Sequence, residues 1–113
     1  MRNGPKGEFH ETPAPIVTPE ILERVGREII RPLLNGMAEE GHPYRGVLYA
    51  GLMIGPDGPS VVEFNCRLGD PETQAVLPLV DANLLELFER TAAGELSGAT
   101  APVGAGAAAC VVL

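Results

Sequence analysis

Two β-rich runs on either side of a short turn restrict the fold of this 113-residue chain more than any other feature. Residues 46–54 read GVLYAGLMI and residues 61–65 read VVEFN, with GPDGPS between them. Apolar and β-branched runs around a Gly/Pro/Asp turn predict an antiparallel hairpin, with Asp57 as a turn residue. Because the first run is apolar on both faces, we expect the sheet to be covered and Met53 to fill its core.

A long amphipathic helix is predicted before the hairpin. Thr18 is a typical N-cap, followed by a proline and an acidic residue in the first turn. Gly41 predicts the end of the helix, and Pro32 is expected to kink it or to divide it. The apolar residues between them recur at spacings of three and four and predict one packed stripe: Leu22, Val25, Ile29, Ile30, Leu33, Leu34 and Met37.

Two shorter helices are predicted after the hairpin. The sequence Asp70-Pro71-Glu72 has the pattern of a helix start and predicts a helix to about residue 79. Asp81 is the expected N-cap of the next helix, which Gly94 ends. Its predicted buried stripe is Leu84, Leu85, Phe88 and Ala92. Helices and an antiparallel hairpin together predict an α+β fold.

The ends of the chain differ from the middle. Residues 1–11 show no helical or strand periodicity and predict a flexible leader. Residues 95–106 are rich in Gly, Ala, Ser and Pro and predict a linker. Residues 107–113 read AAACVVL, a strand with no partner downstream, which indicates a piece of a longer protein.

Composition restricts the partners and the compartment. The chain has 8 Lys and Arg against 15 Asp and Glu, a net charge of −7, which argues against nucleic acid and anionic membranes as partners. Its uncharged stretches are broken by proline and glycine, and no signal peptide is evident. Two cysteines do not make a disulfide framework. We therefore expect a soluble cytoplasmic protein.

The strand at residues 61–65 carries the clearest chemical pattern. Alternation along a strand places Glu63 and Asn65 on one face, about 7 Å apart, and Val62 and Phe64 toward the core. A carboxylate and an amide oxygen suit Mg²⁺ or Mn²⁺. Arg67 follows on the same side if the extended path continues, where its guanidinium could hold a phosphate or carboxylate. The alternative is an ordinary solvated strand face.

The segment EFNCRLGDPETQ at residues 63–74 resembles the signature of the phosphoribosylamine–glycine ligase family of ATP-grasp enzymes. Three earlier segments resemble the same family in the same order: TPAPIVTPEI, REIIRPLLNGM and PYRGVLYAGLMI. The resemblance covers about residues 12–88 and, more weakly, residues 107–113. Residues 1–11 do not resemble the Gly-rich segment that usually precedes this region in the family.

The resemblance implies an ATP-grasp domain fragment, an antiparallel sheet with packed helices. Residues 12–94 would form the later half of that domain, and residues 95–106 a linker. Residues 107–113 would begin a C-terminal domain that is truncated here. The missing domains of the same enzyme would then be partners of this chain.

The family joins glycine to 5-phosphoribosylamine in purine biosynthesis, splitting ATP and passing through a glycyl phosphate. The resemblance implies Mg²⁺ or Mn²⁺ held by Glu63 and Asn65, with ATP as co-substrate and Arg67 as a catalytic residue. It also implies a substrate-binding turn made of Gly69, Asp70, Glu72 and Thr73. Asp70 as a plain N-cap, and Thr73 as a partner of backbone groups, are the simpler alternatives.

Two other interpretations remain open. Other ATP-grasp members, such as carboxylate–amine ligases and biotin carboxylases, share an E-x-N-x-R strand, although the continuation LGDPET separates this chain from the carboxylases. A truncated fragment without catalytic activity is the second. The half of the domain that would cradle the nucleotide is not in the sequence, so we expect the isolated chain to lack ligase activity.

Overall fold

A computed structural model describes residues 8–98, 102 and 104–112 of the chain. Its strands are β1 (Glu8–Thr12), β2 (Tyr49–Gly55), β3 (Gly58–Asn65) and β4 (Ala108–Val112). Its α-helices are α1 (Pro19–Val25), α2 (Arg31–Glu39), α3 (Glu72–Val76) and α4 (Leu84–Ala93). A π-helical segment, Gly26–Ile30, joins α1 to α2, and a 3₁₀ turn, Leu77–Leu79, follows α3. The predicted α+β class is confirmed.

The strands form two separate antiparallel sheets, β1 with β4 and β2 with β3. The hairpin is confirmed and is tighter than predicted, because Gly55 already pairs with Gly58 and only two residues form the turn. The prediction of a covered sheet is wrong within the described residues: Met53 is 66% exposed and Val62 is 65% exposed. Met53 is therefore not core filler in this structure.

The helix predicted between residues 18 and 40 is present and divided. The hydroxyl of Thr18 accepts a hydrogen bond from the N–H of Ile21 at 3.3 Å, which confirms the N-cap. Pro32 has no N–H, and its ring crowds the carbonyl four residues earlier in a regular α-helix. The chain meets this constraint with the wider π turn just before Pro32, in which the N–H of Arg31 donates to the carbonyl of Gly26.

Gly41 ends α2 as predicted. It has a φ of +86°, a conformation that glycine adopts without steric cost. Its N–H donates to the carbonyl of Ala38 at 3.1 Å, and the N–H of His42 donates to that of Met37 at 2.8 Å. These two bonds satisfy carbonyls that the end of a helix leaves unpaired.

The apolar stripe of the divided helix is half-buried rather than buried. Leu22 departs from the prediction, because its side chain is 60% exposed. The other predicted members are all of intermediate exposure: Val25, Ile29, Ile30, Leu33, Leu34 and Met37.

The side chain of Arg24 ties the first helix to the hairpin. Its Nη1 and Nη2 both donate to the carbonyl oxygen of Asp57 at 3.2 Å, and its Nε donates to Glu28. Gly58 has a φ of +112°, a conformation that favours glycine, and a Cβ there would lie within 3 Å of the guanidinium and displace it. Asp57 is thus confirmed as a turn residue, and its carbonyl anchors the turn to α1.

The two ends of the described chain pair with each other, which corrects the predicted leader. Glu8 lies opposite Val112, and Thr12 lies opposite Ala108. The absence of secondary structure predicted for residues 1–11 is therefore wrong for residues 8–11, and residues 1–7 lie outside the described residues. The last strand has its partner upstream, about a hundred residues away, where local periodicity gives no signal.

The predicted linker is partly held in place. The N–H of Asp81 donates to the carbonyl of Pro102 at 2.8 Å, and that of Gly104 donates to Leu79 at 2.7 Å. Residues 99–101 and 103 lie outside the described residues.

The helix α3 contacts both β1 and β4. Ala75 on α3 is buried, with 2% of its surface exposed, and Pro71 just before the helix is also buried.

The helix α4 begins and packs differently from the prediction. Its N-cap is Asn83, not Asp81, and the Asn83 side chain accepts from the N–H of Glu86 at 3.3 Å. Gly94, with a φ of +77°, ends it as predicted. Leu84 of the predicted stripe is half-buried, but Leu85 is 67% exposed, Phe88 is 42% exposed and Ala92 is exposed, so the prediction is wrong for these three. The half-buried face instead carries Leu84, Leu87 and Thr91, one helical turn apart.

No helix among the described residues is long and apolar enough to cross a membrane.

The tether between α1 and the hairpin turn yields a stability prediction. Arg24→Ala removes the bonds to the Asp57 carbonyl, and we expect the free energy of unfolding to fall by about 1 kcal/mol, typical of a partly exposed charged hydrogen bond. Urea denaturation followed by circular dichroism measures it.

Arg27→Ala is the matched control. Arg27 also pairs with Glu28, at 2.9 Å, but among the described residues it bonds only within the helix, to Glu23 and Glu28. Exposed pairs of this kind contribute little, so we expect a change below about 0.5 kcal/mol. Equal losses for the two variants would show that the tether to the turn adds nothing.

Candidate functional site

Glu63 and Asn65 lie together on one face of β3. The Asn65 Nδ2 donates to Oε1 of Glu63 at 2.9 Å. Asn65 is half-buried and Glu63 is exposed. The two side chains therefore share a face, as alternation along the strand predicts. The other half of that prediction is wrong, because Val62 is 65% exposed and Phe64 is 39% exposed rather than buried.

A β-bulge directly precedes Glu63. Gly51 pairs with Glu63 and Leu52 pairs with Val61, so Val62 is an extra residue without a partner on β2. A bulge turns the strand locally and changes the direction of the side chains that follow it. This explains why Val62 departs from simple alternation. It also makes the orientation of Glu63 depend on the bulge.

Gly51 leaves room for the Glu63 side chain. A Cβ at Gly51 would lie 3.0 Å from Cγ of Glu63, closer than ordinary van der Waals contact. A glycine at this cross-strand position therefore lets the Glu63 side chain lie against β2.

Tyr49 is a residue of this site that sequence reasoning missed. It lies directly opposite Asn65 in the hairpin register. Its hydroxyl donates to Oε1 of Glu72 at 3.1 Å and so joins β2 to α3. The available signal was the period of two along β2, because Tyr49 and Gly51 occupy the positions opposite Asn65 and Glu63.

The loop after β3 and the start of α3 border a cleft of about 200 Å³. Four of the residues predicted for the site line it, namely Arg67, Gly69, Glu72 and Thr73. The remaining lining residues are Val47, Leu48, Tyr49, Leu68 and Val76. The structure thus brings most of the predicted substrate turn to one place, with Tyr49 on its wall.

Asp70 does not line this cleft. Its carboxylate accepts from Nε2 of Gln74 at 2.9 Å, and the N-cap of α3 is Pro71, without a side-chain bond. The simpler interpretation of Asp70 as an N-cap is therefore wrong. The hydroxyl of Thr73 donates to the carbonyl of Gly69, as expected for a residue that satisfies backbone groups. Arg67 is exposed and donates from Nη1 to the carbonyl of Leu68 at 3.0 Å.

Three charged residues of the site affect the pKa of Tyr49. Partial burial raises the pKa of its phenol, and the hydrogen bond to Glu72 and the charges of Glu72 and Glu63 raise it further. The positive charge of Arg67 acts in the opposite direction on this pKa. The phenol therefore stays protonated, as a donor to Glu72 must, and it lies within the field of three charged residues.

The comparison with protein families decides where this chain belongs. Residues 4–73 match the sequence model of the family described as phosphoribosylglycinamide synthetase, ATP-grasp (A) domain. The chain belongs to this family. The match begins at residue 4, so the prediction that residues 1–11 lie outside the resemblance is wrong for residues 4–11.

Proteins named phosphoribosylamine–glycine ligase are similar to most of the chain. That of Leptospira interrogans (serogroup Icterohaemorrhagiae, serovar Lai) is 54% identical over 102 residues, 89% of this chain and 24% of the relative. That of Allochromatium vinosum is 54% identical over 103 residues, 90% of this chain and 24% of the relative. That of Pasteurella multocida is 55% identical over 97 residues, 85% of this chain and 22% of the relative. The chain spans about a quarter of the length of these relatives.

The donor set of the pair fits a hard divalent cation. Mg²⁺ prefers carboxylate and amide oxygens and usually keeps several ligands from water or phosphate. Within the described residues, no group of three or more His, Cys, Asp or Glu side chains could hold a metal ion. Glu63 and Asn65 could supply two oxygen ligands if the Asn65 amide turned its Oδ1 toward the cation in place of the Nδ2 that donates to Glu63, and other molecules would supply the rest.

The phenols yield a prediction about pH. The pKa of Tyr44 is also raised, mainly by burial and further by Cys66. We expect both phenols to titrate above the ordinary value of about 10. Folding then favours the protonated phenols, so their contribution to stability is complete below about pH 10 and is lost as the pH rises further.

The chain has two tyrosines and no tryptophan, so the absorbance of tyrosinate measures this directly. Tyr44→Phe leaves Tyr49 as the one phenol in the titration. A Tyr49 phenol that ionises at or below its ordinary pKa would contradict the arrangement with Glu72 and Glu63.

Proposed function

We propose that this chain is the metal-binding part of an ATP-dependent ligase that joins glycine to 5-phosphoribosylamine in purine biosynthesis. The observation that carries the proposal is the Glu63–Asn65 pair in a chain of this family. The two side chains share one strand face, with Nδ2 of Asn65 at 2.9 Å from Oε1 of Glu63. The names of the relatives support the choice of substrates. The proposal includes a cytoplasmic location, where Cys66 and Cys110 stay as the free thiols seen here.

The proposed reaction has two steps. The glycine carboxylate takes the γ-phosphoryl group of ATP, which leaves ADP and glycyl phosphate. The amine of phosphoribosylamine then attacks the acyl carbon and displaces phosphate, forming glycinamide ribonucleotide. A bound Mg²⁺ or Mn²⁺ would neutralise charge on the triphosphate.

The residues of this chain would act mainly by positioning and electrostatics. Glu63 and Asn65 hold the cation through their oxygens. Arg67 is exposed and lines the cleft. Its guanidinium stabilises the negative charge that grows during phosphoryl transfer. Arg67 is the catalytic residue of the proposal.

The cleft would hold part of the substrate. Gly69, Glu72 and Thr73 line it, and we assign them to substrate binding. Asp70 points to Gln74 outside the cleft, so in this proposal it contributes by shaping the turn between β3 and α3. The remaining parts of the enzyme would supply the groups that cradle ATP.

Replacing Glu63 tests the proposal. The chain would be joined to the remaining three quarters of the Leptospira interrogans relative, in place of the segment it matches. Glu63→Gln keeps the shape and removes the charge, so we expect turnover at limiting Mg²⁺ to fall by about 10²-fold or more. Glycine-dependent release of ADP measures turnover, and the melting temperature without nucleotide should not fall.

Glu39→Gln is the matched control, because Glu39 is an exposed glutamate at the end of α2. It should leave turnover unchanged. Near-normal turnover of Glu63→Gln would show that the pair does not bind the metal and is an ordinary solvated strand face. A folded but inactive parent chimera would contradict the assignment of this chain to the ligase.

The isolated chain provides a second test. Because the chain spans about a quarter of its relatives, we expect the purified 113 residues to show no glycine-dependent ADP release with phosphoribosylamine and Mg²⁺. Turnover near an ordinary enzyme rate of about 1 s⁻¹ would show that the chain needs no further domain.

A further inference from the structure

We propose that Tyr49 is a positioning residue of the candidate site. Its hydroxyl and the carboxylate of Glu72 form a bridge, here called the Tyr49–Glu72 bridge, that holds the Arg67 loop (residues 66–71) beside the Glu63–Asn65 pair. The role in turnover rests on the proposed function, whereas the effect on the loop does not.

The first support is the position of Tyr49 in the hairpin. It lies opposite Asn65, and the next residue on its face, Gly51, lies opposite Glu63. The Tyr49 backbone is therefore fixed to the strand that carries the pair. Its hydroxyl donates at 3.1 Å to Oε1 of Glu72, which lies 23 residues later in the sequence. The bridge thus connects the strand of the pair to the first residue of α3.

The second support is the close approach of the loop to the bridge. Gly69 is buried, and a Cβ there would lie 2.9 Å from Cε2 of Tyr49 and 2.5 Å from Oε2 of Glu72. The loop backbone therefore lies directly against both members of the bridge. Gly69 is two residues after Arg67, so a shift of Tyr49 or Glu72 would move the guanidinium relative to the pair.

The third support is that the bridge borders the cleft. Tyr49, Glu72, Gly69 and Arg67 all line it, and Thr73 closes the turn by bonding to the Gly69 carbonyl. Phenylalanine would fill the same space as Tyr49 but could not donate to Glu72. Tyr49→Phe therefore isolates the hydroxyl from the packing of the ring.

Kinetics of the chimera test the role in turnover. We expect Tyr49→Phe to lower kcat about tenfold, the lower range for one hydrogen bond to a charged group, with KM for ATP within about twofold. Tyr44→Phe is the matched control, because it removes the chain's other phenol, which donates to the Val47 carbonyl at 2.7 Å. It should leave kcat within about twofold of the parent.

A double-mutant cycle tests the bridge itself. In the Glu72→Ala background, Tyr49→Phe should lower kcat by less than about twofold, because its partner is already absent. Glu72→Gln keeps an acceptor oxygen for the phenol, so Tyr49→Phe should again lower kcat in that background. An equal tenfold loss in the parent and Glu72→Ala backgrounds, or a kcat for Tyr49→Phe equal to that of Tyr44→Phe, would overturn the proposal.

Hydrogen exchange tests the loop independently of activity. Tyr49→Phe and Glu72→Ala should each speed exchange in residues 66–73 and leave residues 19–39 unchanged. This result would support the bridge even if the parent chimera were inactive, which would contradict the proposed ligase alone. Unchanged exchange in residues 66–73, or a loss of protection throughout the protein in both variants, would overturn the positioning role.

Discussion

The register of the β2–β3 hairpin is the constraint on which the candidate site depends. Strand pairing begins with Gly55 and Gly58 on either side of the two-residue turn, and the bulge at Val62 shifts the register by one residue. This places Gly51 opposite Glu63 and Tyr49 opposite Asn65. Because side chains alternate along a strand, a slip of one residue would move the pair to the other face. Arg24, bonded to the Asp57 carbonyl, holds the same turn against α1.

Many large apolar side chains of the described residues are exposed. Ala75 is buried, while the larger side chains of Met53, Val62 and Leu85 are each about two-thirds exposed. The radius of gyration is 16.1 Å, against about 13 Å for a compact domain of similar length. Soluble monomers rarely expose extended apolar patches. This surface fits the proposal that further parts of a ligase cover it, as the chain spans about a quarter of its relatives.

Local chemistry made part of the fold predictable. Four predicted features depend on residues that are near in sequence: the Thr18 cap, the glycines that end α2 and α4, the hairpin, and the shared face of Glu63 and Asn65. The β1–β4 sheet does not, because Glu8 and Val112 meet only in the folded chain. Alternation also failed at Val62, since a bulge depends on the partner strand. Tyr49 was missed because its partner Glu72 is 23 residues away.

In the proposed ligase, the Glu63–Asn65 pair would be a weak set of ligands whose side chains are restricted in position. Asn65 already donates to Glu63, so the two side chains restrain each other. The space at Gly51 and the bulge at Val62 limit where the Glu63 side chain can lie. Two oxygen ligands leave most of the shell of a Mg²⁺ ion to water and phosphate. In the proposed ligase, affinity would therefore come largely from the nucleotide, and the hairpin would contribute position.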